Sequence, residues 1–366
     1  MLIPFDDYPV HQTALPLAQS GGGNPDHYDR FWFNGYTEDF YFAVALGSYP
    51  NRGVIDGAFA VVHRGEQRSV FASGRAPVDR ARTEVGPIRI EIVEPMRVNR
   101  VRVSAPEHGL EADLTFRSRT PAHEEPRQTR YAGARLNMDV TRATSLGSWT
   151  GEIKVDGEPV ALPDTWFGTK DRSWGVRPVG LPAPAAPEPS AAQFFFLWAP
   201  LNFDDCALHY MVFEDAEGVP WAETGARLPL IGPDDPVTDA SGVRELAARH
   251  AIRWAPGTRR AASAALRLAG DDDPVQLEPL LTFRMRGAGY FHPTWGHGLW
   301  HGEAVTGAER HRVEELDKLA PDHVHIQQVV RARWGGRTGM GVLEQIVIGP
   351  HAPSGFTEFL DGAPER

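Results

Sequence analysis

Apolar residues occupy every second position wherever the chain has a clear hydrophobic pattern. Residues 110–117 and residues 128–140 both alternate in this way, which is typical of β-strands with one buried face. Patterns with the 3.6-residue period of a helix are rare, and only residues 241–250 are expected to form a short helix. The alternation therefore predicts an all-β fold of antiparallel strands with little helix.

Turn and linker residues divide the chain into two predicted domains. The Asp-Gly pair at 156–157 stands between strand-like flanks and predicts a two-residue hairpin turn. Acids, prolines and a glycine cluster at 230–240, as in a linker. We predict two consecutive β-barrel or sandwich domains of the type that encloses a small ligand, at residues 1–232, with an N-terminal extension, and at residues 233–366. The Pro- and Ala-rich residues 178–192 are expected to form a lid or binding loop.

Composition narrows the choice of partner and compartment. The 366 residues carry a formal net charge of −11, which argues against nucleic acid or an anionic membrane surface as partner. Cys206 is the only cysteine, so neither an intrachain disulfide nor a cysteine-based zinc site is expected. The N-terminus lacks a signal-peptide pattern, and no apolar run approaches the roughly 20 residues that cross a bilayer. We expect a soluble, cytoplasmic protein whose partner is a small molecule.

Residues 164–177 hold an unusual density of tryptophans, acids and bases. Gly168 and Gly175 are expected to let the chain turn sharply around residues 170–174. The neighbouring bases would keep Asp171 ionised, whereas burial in an apolar cavity beside Trp174 would raise its pKa and make it a usable general acid. The structural alternative is an ion-paired turn capped by a tryptophan of the core.

The same segment carries a resemblance to a known superfamily. Its Trp-Phe-x-x-x-Asp-Arg-Ser-Trp-Gly pattern at 166–175 resembles the Trp/Phe-Asp-Arg/His-Glu/Gln-Trp signature of the carotenoid hydratase and AttH-like proteins. This lipocalin-like superfamily also includes kievitone hydratase and fungal lipocalin-like Diels-Alderases. Residues 194–213 are similar to its next element, an aromatic strand, an acidic turn and a second strand that line a pocket.

The resemblance implies two lipocalin-like domains with a hydrophobic cavity near their junction. In the hydratases it also implies acid-promoted addition of water to an isoprenoid or flavonoid double bond, with no metal. Carried over by position, Asp171 is the proton donor, and Trp174 walls the cavity or stabilises a carbocation through its π face. Ser173 stands where the signature has Glu or Gln, so one of two possible carboxyl groups is missing.

Two further clusters supply candidate residues. His209 is a possible proton shuttle, although a strand histidine is also compatible with a purely structural role. Tyr210 follows it, and strand alternation allows only one of the two to share a face with Phe196 and Trp198. Trp32 is expected to reach the cavity floor or simply to close the barrel.

The second cluster, residues 289–302, contains three histidines. His292, His297 and His301 raise the possibility of a metal site, but their glycine-rich spacing fits a helix poorly. A loop entering a strand, with His297 and His301 on one face, is the expected structure. It predicts a pocket rim of aromatic and imidazole groups rather than a metal site.

These observations predict a cofactor-independent enzyme acting on a hydrophobic terpenoid, steroid or polyketide-like molecule by acid-promoted hydration or dehydration, isomerisation or cyclisation. The alternative is a non-catalytic carrier of an apolar ligand. Nucleotide-binding, metalloprotease and serine-hydrolase motifs are absent from the sequence. The predicted catalytic residues are Asp171 and His209. The predicted substrate-binding residues are Trp32, Trp166, Arg172, Trp174, Arg177, Phe196, Trp198, Tyr210, His297 and Trp300.

Overall fold

The protein was examined as a computed structural model that describes residues 16–18, 21–181 and 193–364 together with Phe5 and Ala14. Strands dominate this part of the chain, which confirms the all-β prediction. The strands are β1 (His27–Tyr36), β2 (Phe40–Tyr49), β3 (Val54–His63), β4 (Glu66–Arg75), β5 (Glu84–Val85), β6 (Ile88–Glu94), β7 (Val98–Ala105), β8 (Leu110–Ser118), β9 (His123–Glu124), β10 (Gln128–Ala132), β11 (Arg135–Val155), β12 (Glu158–Pro159), β13 (Trp166–Val176), β14 (Phe194–Asn202), β15 (Cys206–Glu214), β16 (Pro220–Pro229), β17 (Arg244–Glu245), β18 (Ala248–Trp254), β19 (Ala261–Leu268), β20 (Val275–Arg284), β21 (Ala304–Arg312), β22 (Ile326–Trp334) and β23 (Arg337–Ile348).

Helical structure in the described residues is confined to single 3-10 turns. They are Gly21–Gly23, Pro50–Arg52, Pro106–His108, Met285–Ala288, Val313–Glu315 and Ala352–Ser354. Within the same residues, no helix has the length and apolar character needed to span a bilayer.

The strands form two antiparallel sheets. The first has the order β21-β4-β3-β2-β1-β13-β11-β8-β7-β6-β5, with β9, β10 and β12 also pairing with β11. The second has the order β17-β16-β15-β14-β23-β22-β20-β19-β18. One sheet curls into a nearly closed barrel and the other into a half-barrel. The late strand β21 returns to the edge of the first sheet beside β4, so the two halves of the chain are interlocked.

The change of sheet falls between Val176, the last residue of β13, and Phe194, the first of β14. The domain boundary at residue 232 stays a prediction, since sheet membership alone does not define a domain. Of the predicted lid at 178–192, residues 182–192 lie outside the described residues, as does most of the N-terminal extension.

Three large apolar clusters follow from the two-residue period of the strands. In β1, Phe31 and Phe33 point into the core of the first sheet, whereas Trp32 and Tyr36 point to the opposite side. That opposite side packs against residues of the second sheet, including Phe196 and others of β14, β15, β20, β22 and β23. A shared apolar layer with several aromatic residues therefore lies between the sheets, and we call this cluster the junction.

The sharp turn expected around residues 170–174 is wrong. Residues Trp166–Val176 form one extended strand that pairs with β1 on one side and β11 on the other. Pairing on both sides keeps the backbone extended, and Gly168 is needed instead for close packing. A Cβ at Gly168 would overlap the indole nitrogen of Trp149 and the carbonyl oxygen of Asn34.

Other local predictions had mixed outcomes. The turn at 156–157 is confirmed, with φ of 55° at Asp156 and 80° at Gly157. The helix expected at 241–250 is wrong, because this segment contributes β17 and the start of β18 instead. Its Leu246 and Ala248 pack on the core of the second sheet, and pairing with β16 and β19 outweighs the local helical pattern.

Candidate active site

Asp171 lies at the centre of β13 and faces the junction. Its neighbours in register are Trp32 on β1 and Thr144 on β11. The side chain is 13% exposed, and its Oδ2 lies 3.3 Å from Arg142 Nε. Its Oδ1 is buried and has no hydrogen-bond partner in the described part of the chain. Strand alternation sends Lys170 and Arg172, the bases expected to hold Asp171 ionised, to the other face of the sheet.

Burial dominates the electrostatics of Asp171. It raises the pKa of this carboxyl to about 7, because the attraction of Arg142 offsets only part of the desolvation, and the Glu125 and Glu344 carboxylates oppose ionisation. Arg142 is shared with a second acid, since its Nη1 lies 3.5 Å from Glu125 Oε2. One guanidinium thus serves two carboxyl groups.

Of the two acids that share Arg142, Glu125 is the one that is ionised. Burial by itself disfavours its charge, yet Arg142 and His209 lower its pKa to about 2. Its Oε1 accepts hydrogen bonds from Trp198 Nε1 at 3.2 Å and from Thr144 Oγ1 at 3.4 Å. Its Oε2 accepts one from Gln128 Nε2 at 2.9 Å. With its oxygens occupied in this way, Glu125 anchors Arg142 and is not free to contact a substrate.

A chain of polar side chains runs from Glu125 to the surface. His209 Nε2 lies 3.4 Å from Glu125 Oε1, and His209 Nδ1 lies 2.8 Å from His123 Nδ1. His123 Nε2 lies 3.0 Å from an oxygen of Glu245, which is 67% exposed. Burial lowers the pKa of His209, although Glu125 opposes this shift. His209 and His123 thus connect the buried Glu125 to a carboxylate at the surface.

Aromatic rings surround the Asp171–Arg142 pair. The Arg142 guanidinium lies 5.5 Å from the centre of the Phe196 ring, and Trp198 meets the His209 ring edge-on at 6.0 Å. Trp32 packs edge-on against Tyr290 with ring centres 6.1 Å apart. The carboxyl group of Asp171 therefore has both aromatic rings and the charged groups of Arg142, Glu125 and Glu344 in its vicinity.

Polar side chains across the junction tie the two sheets together. Glu344 Oε1 lies 2.7 Å from His325 Nε2, and its Oε2 accepts a hydrogen bond from Gln327 Nε2 at 2.6 Å. Gln327 Oε1 in turn accepts hydrogen bonds from Tyr41 and Asn34 of the first sheet, at 2.6 and 3.0 Å. The relative position of the sheets, and hence of Asp171, depends on this network.

A small cavity lies farther along the same side of the first sheet. Arg30, Asp56, Trp295 and His297 contribute to its lining, and its volume of about 10 Å³ corresponds to about one water molecule. Asp171 is not part of its lining. The hydrophobic cavity expected beside Asp171 stays a prediction.

Comparison with known proteins places the chain in a family. Residues 2–357 match the model of a family described as a family of unknown function (DUF8625). The chain belongs to the DUF8625 family. No curated protein matches the sequence of this chain.

Solved structures resemble this DUF8625 chain in fold. The crystal structure of a protein named "putative AttH" from Nitrosomonas europaea aligns with a TM-score of 0.54 and 16% identity, covering 87% of this chain and 92% of that one. Kievitone hydratase from Nectria haematococca aligns with a TM-score of 0.47 and 12% identity, covering 88% and 89%. The match to the Nitrosomonas europaea structure confirms the expected AttH-like, lipocalin-like architecture as a fold.

The DUF8625 structure brings one group of the predicted residues together. Trp32, Asp171, Phe196, Trp198 and His209 share the junction. Arg177 and His297 lie next to this group, because the Tyr290 ring contacts both of them as well as Trp32. As alternation requires, Tyr210 points the other way and bonds to His250 Nδ1 at 2.9 Å.

Other predicted residues lie away from Asp171. Trp166 belongs to the core of the first sheet. On the opposite face of β13, Arg172 Nη2 donates a hydrogen bond to Asp29 Oδ1 at 2.7 Å. Trp174 is 41% exposed, and Trp300 is 47% exposed beside Arg75.

The histidine-rich segment is a loop that ends where β21 begins, at Ala304. The prediction that His297 and His301 lie on one face of a strand is therefore wrong. The glycines keep the chain irregular: Gly298 and Gly302 both have positive φ. His292 binds Glu309 instead of a shared ion, at 2.8 Å. Among the described residues, no group of three or more His, Cys, Asp or Glu side chains is arranged to hold a metal.

The residues that shift the pKa of Asp171 were not identified from the sequence. Arg142 was detectable, since it is the one charged residue among the alternate positions of β11 from Leu136 to Thr150. Glu125 and His123 gave no such signal, because His123 belongs to the two-residue strand β9 and Glu125 follows it directly, which is too short a strand for a periodic pattern. Tyr290 stood in the histidine-rich segment but was not singled out.

Proposed function

We propose that this protein is an enzyme that transfers protons to and from a hydrophobic small molecule, with Asp171 as proton donor and acceptor. The observation that carries the proposal is the asymmetry of this carboxyl group. One oxygen is ion-paired with Arg142, whereas the other is buried and has no partner among the described residues. A purely structural carboxyl group normally has both oxygens hydrogen-bonded.

The electrostatics support the same role. Burial brings the pKa of Asp171 to about 7, so the acid and its conjugate base coexist near neutral pH. This is the condition under which a carboxyl group both donates and accepts protons efficiently. A carboxylate at its ordinary pKa would be almost entirely ionised and would serve only as a base.

The setting of Asp171 indicates an apolar substrate. Trp32 is its neighbour in register, and Phe196 and Trp198 contact Arg142 and Glu125 within the junction. Such rings bind ligands chiefly by burying apolar surface. A terpenoid, steroid or polyketide-like molecule fits this chemistry. Asp171 would give its proton to one carbon of a double bond, and the reaction would end by water addition, by proton loss from another carbon or by ring closure. None of these outcomes calls for a cofactor.

The second candidate is a non-catalytic carrier for the same class of ligand. The ion pair between Asp171 and Arg142 favours it, because such a pair also serves to hold two strands together. The carrier and the enzyme differ in one observable: only the enzyme exchanges protons between solvent and ligand carbon.

The test is solvent deuterium incorporation. The purified protein is incubated in D₂O with an organic-solvent extract of the cells that express it, and the extract is analysed by mass spectrometry. We expect the wild type to add deuterium to a carbon of one apolar compound, and Asp171→Asn to add none. Asp139→Asn is the matched control, since Asp139 lies near the surface and bonds Arg127. Incorporation by folded Asp171→Asn would refute the proposed acid, and none by the wild type would favour the carrier.

A further inference from the structure

Arg177, whose charge influences the proposed acid, is a cation without an acidic partner among the described residues. Its guanidinium lies 4.4 Å from the centre of the Tyr28 ring and 5.6 Å from that of Tyr290. Within the described residues it has no carboxylate oxygen within 4.0 Å, and its buried Nε has no hydrogen-bond partner. Its Nη2 lies 3.5 Å from His297 Nδ1. A partly buried charge of this kind gains free energy when a group of opposite charge neutralises it.

Two neighbouring arginines do have acidic partners. Arg142 lies between Glu125 and Asp171. Arg30 lies 4.0 Å from Asp56 and also donates hydrogen bonds to Tyr49 and to the Ala288 carbonyl. The positive charge of these two guanidiniums is therefore offset locally. That of Arg177 is offset by no carboxylate within the part of the chain that the structure describes, so it can attract a ligand of negative charge.

A second donor that contacts Tyr290 also lacks a partner among the described residues. Trp32 is 4% exposed, and its indole Nε1 is buried without a hydrogen-bond acceptor in the described part of the chain. Trp32 is also the neighbour of Asp171 in register. The Tyr290 ring thus contacts both the Trp32 indole and the Arg177 guanidinium. Neither Trp32 Nε1 nor Arg177 Nε has a hydrogen-bond partner among the described residues.

We infer that the substrate carries a carbonyl oxygen next to the reacting carbons, and that Arg177 and Trp32 donate hydrogen bonds to this oxygen. The inference rests on the proposed function and names its substrate class: an apolar enone or enolisable ketone. Donors placed where negative charge develops stabilise an enolate in a site that excludes water. The same unpaired guanidinium would repel a carbocation, so a simple isolated alkene is the poorer substrate.

The proton transfers balance without any other reagent. The Asp171 carboxylate takes a proton from the carbon adjacent to the carbonyl group. The C–H electron pair forms a carbon–carbon double bond, and the carbonyl π pair moves onto oxygen. Asp171 then returns the proton to a different carbon of the conjugated system, and the electron pairs move back to restore the carbonyl group. The net result is a shift of a double bond.

His297 is a positioning residue for this arrangement. Burial and the nearby charges of Arg30 and Arg177 hold its pKa well below the usual value, so the ring is neutral. Its Nε2 donates to the Ala288 carbonyl at 3.0 Å, which leaves Nδ1 as an acceptor facing Arg177. The neutral ring orients the guanidinium without cancelling its charge.

The probe for this site is 4-nitrophenol, whose absorbance distinguishes the phenol from the phenolate. We expect wild-type protein to bind the phenolate preferentially and to lower the apparent pKa of the bound probe by about one unit, a tenfold preference. Arg177→Met should weaken phenolate binding about tenfold or more, as the loss of a charged hydrogen bond predicts. Trp32→Phe should weaken it less, and Arg177→Lys should retain part of it. If Arg177→Met fails to fold, Arg177→Lys and Trp32→Phe carry the test.

Two controls make the result specific. Arg117→Met removes an exposed arginine of β8 and should change nothing. The neutral ether 4-nitroanisole should bind wild type and Arg177→Met equally. Equal phenolate binding by wild type and both Arg177 variants would overturn the inference, even if deuterium incorporation still depends on Asp171. Conversely, a phenolate site without incorporation would leave the oxygen-binding site standing and reject the proposed enzyme.

Discussion

The charge state of Asp171 has a consequence for stability that requires no ligand to observe. In the native protein this carboxyl keeps its proton up to a pKa of about 7, compared with 3.8 for an ordinary aspartate. Asp171→Asn preserves the shape and removes the titration. We expect the variant to be more stable than wild type at alkaline pH and to lose this advantage in acid.

The sign and size follow from proton linkage. Between pH 3.8 and about 7, the unfolded chain has released this proton while the native state still holds it, so raising the pH favours unfolding. A difference of about 3 pKa units at 1.36 kcal/mol each gives about 4 kcal/mol. The advantage of Asp171→Asn in the free energy of unfolding should therefore be close to zero near pH 4 and approach about 4 kcal/mol above pH 8.

Urea unfolding of both proteins across this pH range measures the difference directly. Asp139→Asn is the control of opposite sign, because its hydrogen bond with Arg127 lowers the pKa of Asp139. That variant should lose stability at neutral pH. A difference between Asp171→Asn and wild type that is independent of pH would mean that Asp171 is ionised in the folded protein, and the proposed acid would lose its physical basis.

Three further substitutions test the packing around the site. Glu125→Gln should lower the free energy of unfolding in urea at neutral pH by about 3–5 kcal/mol, since it removes the anion of a buried ion pair. Glu124→Gln, at the exposed neighbouring residue, should leave the free energy of unfolding unchanged. Gly168→Ala should lower the melting temperature by several degrees or prevent folding, because a Cβ there meets Trp149; an unchanged melting temperature would contradict the packing of β13. His123→Leu should cost about 1–3 kcal/mol by leaving His209 Nδ1 without its partner, and no loss would show that this contact is not formed.

Part of the candidate site was accessible from the sequence because strand alternation is a local property. The opposite faces of His209 and Tyr210 followed directly from it, as did the shared face of Phe196 and Trp198. The Asp-Gly turn at 156–157 was equally local. Such features depend on the backbone geometry of neighbouring residues, so a single sequence contains enough information to predict them.

The pairing of Asp171 was not accessible in this way. Adjacency in the sequence suggested Trp174 as its neighbour, yet the two residues lie on opposite faces of β13. Arg142 and Glu125 approach from β11 and from an irregular stretch of the chain, and no periodic pattern links those segments to residue 171.

The sequence by itself determined the all-β character, the alternating faces and the tight turn, because each arises from interactions between residues close in the chain. Only the tertiary structure decided which face of β13 is covered by the second sheet and which charges lie across from it. Desolvation and Coulomb interactions depend on distance in space. The pKa of Asp171 is therefore a property of the packed sheets, and the chemistry proposed for it depends on how the two sheets meet.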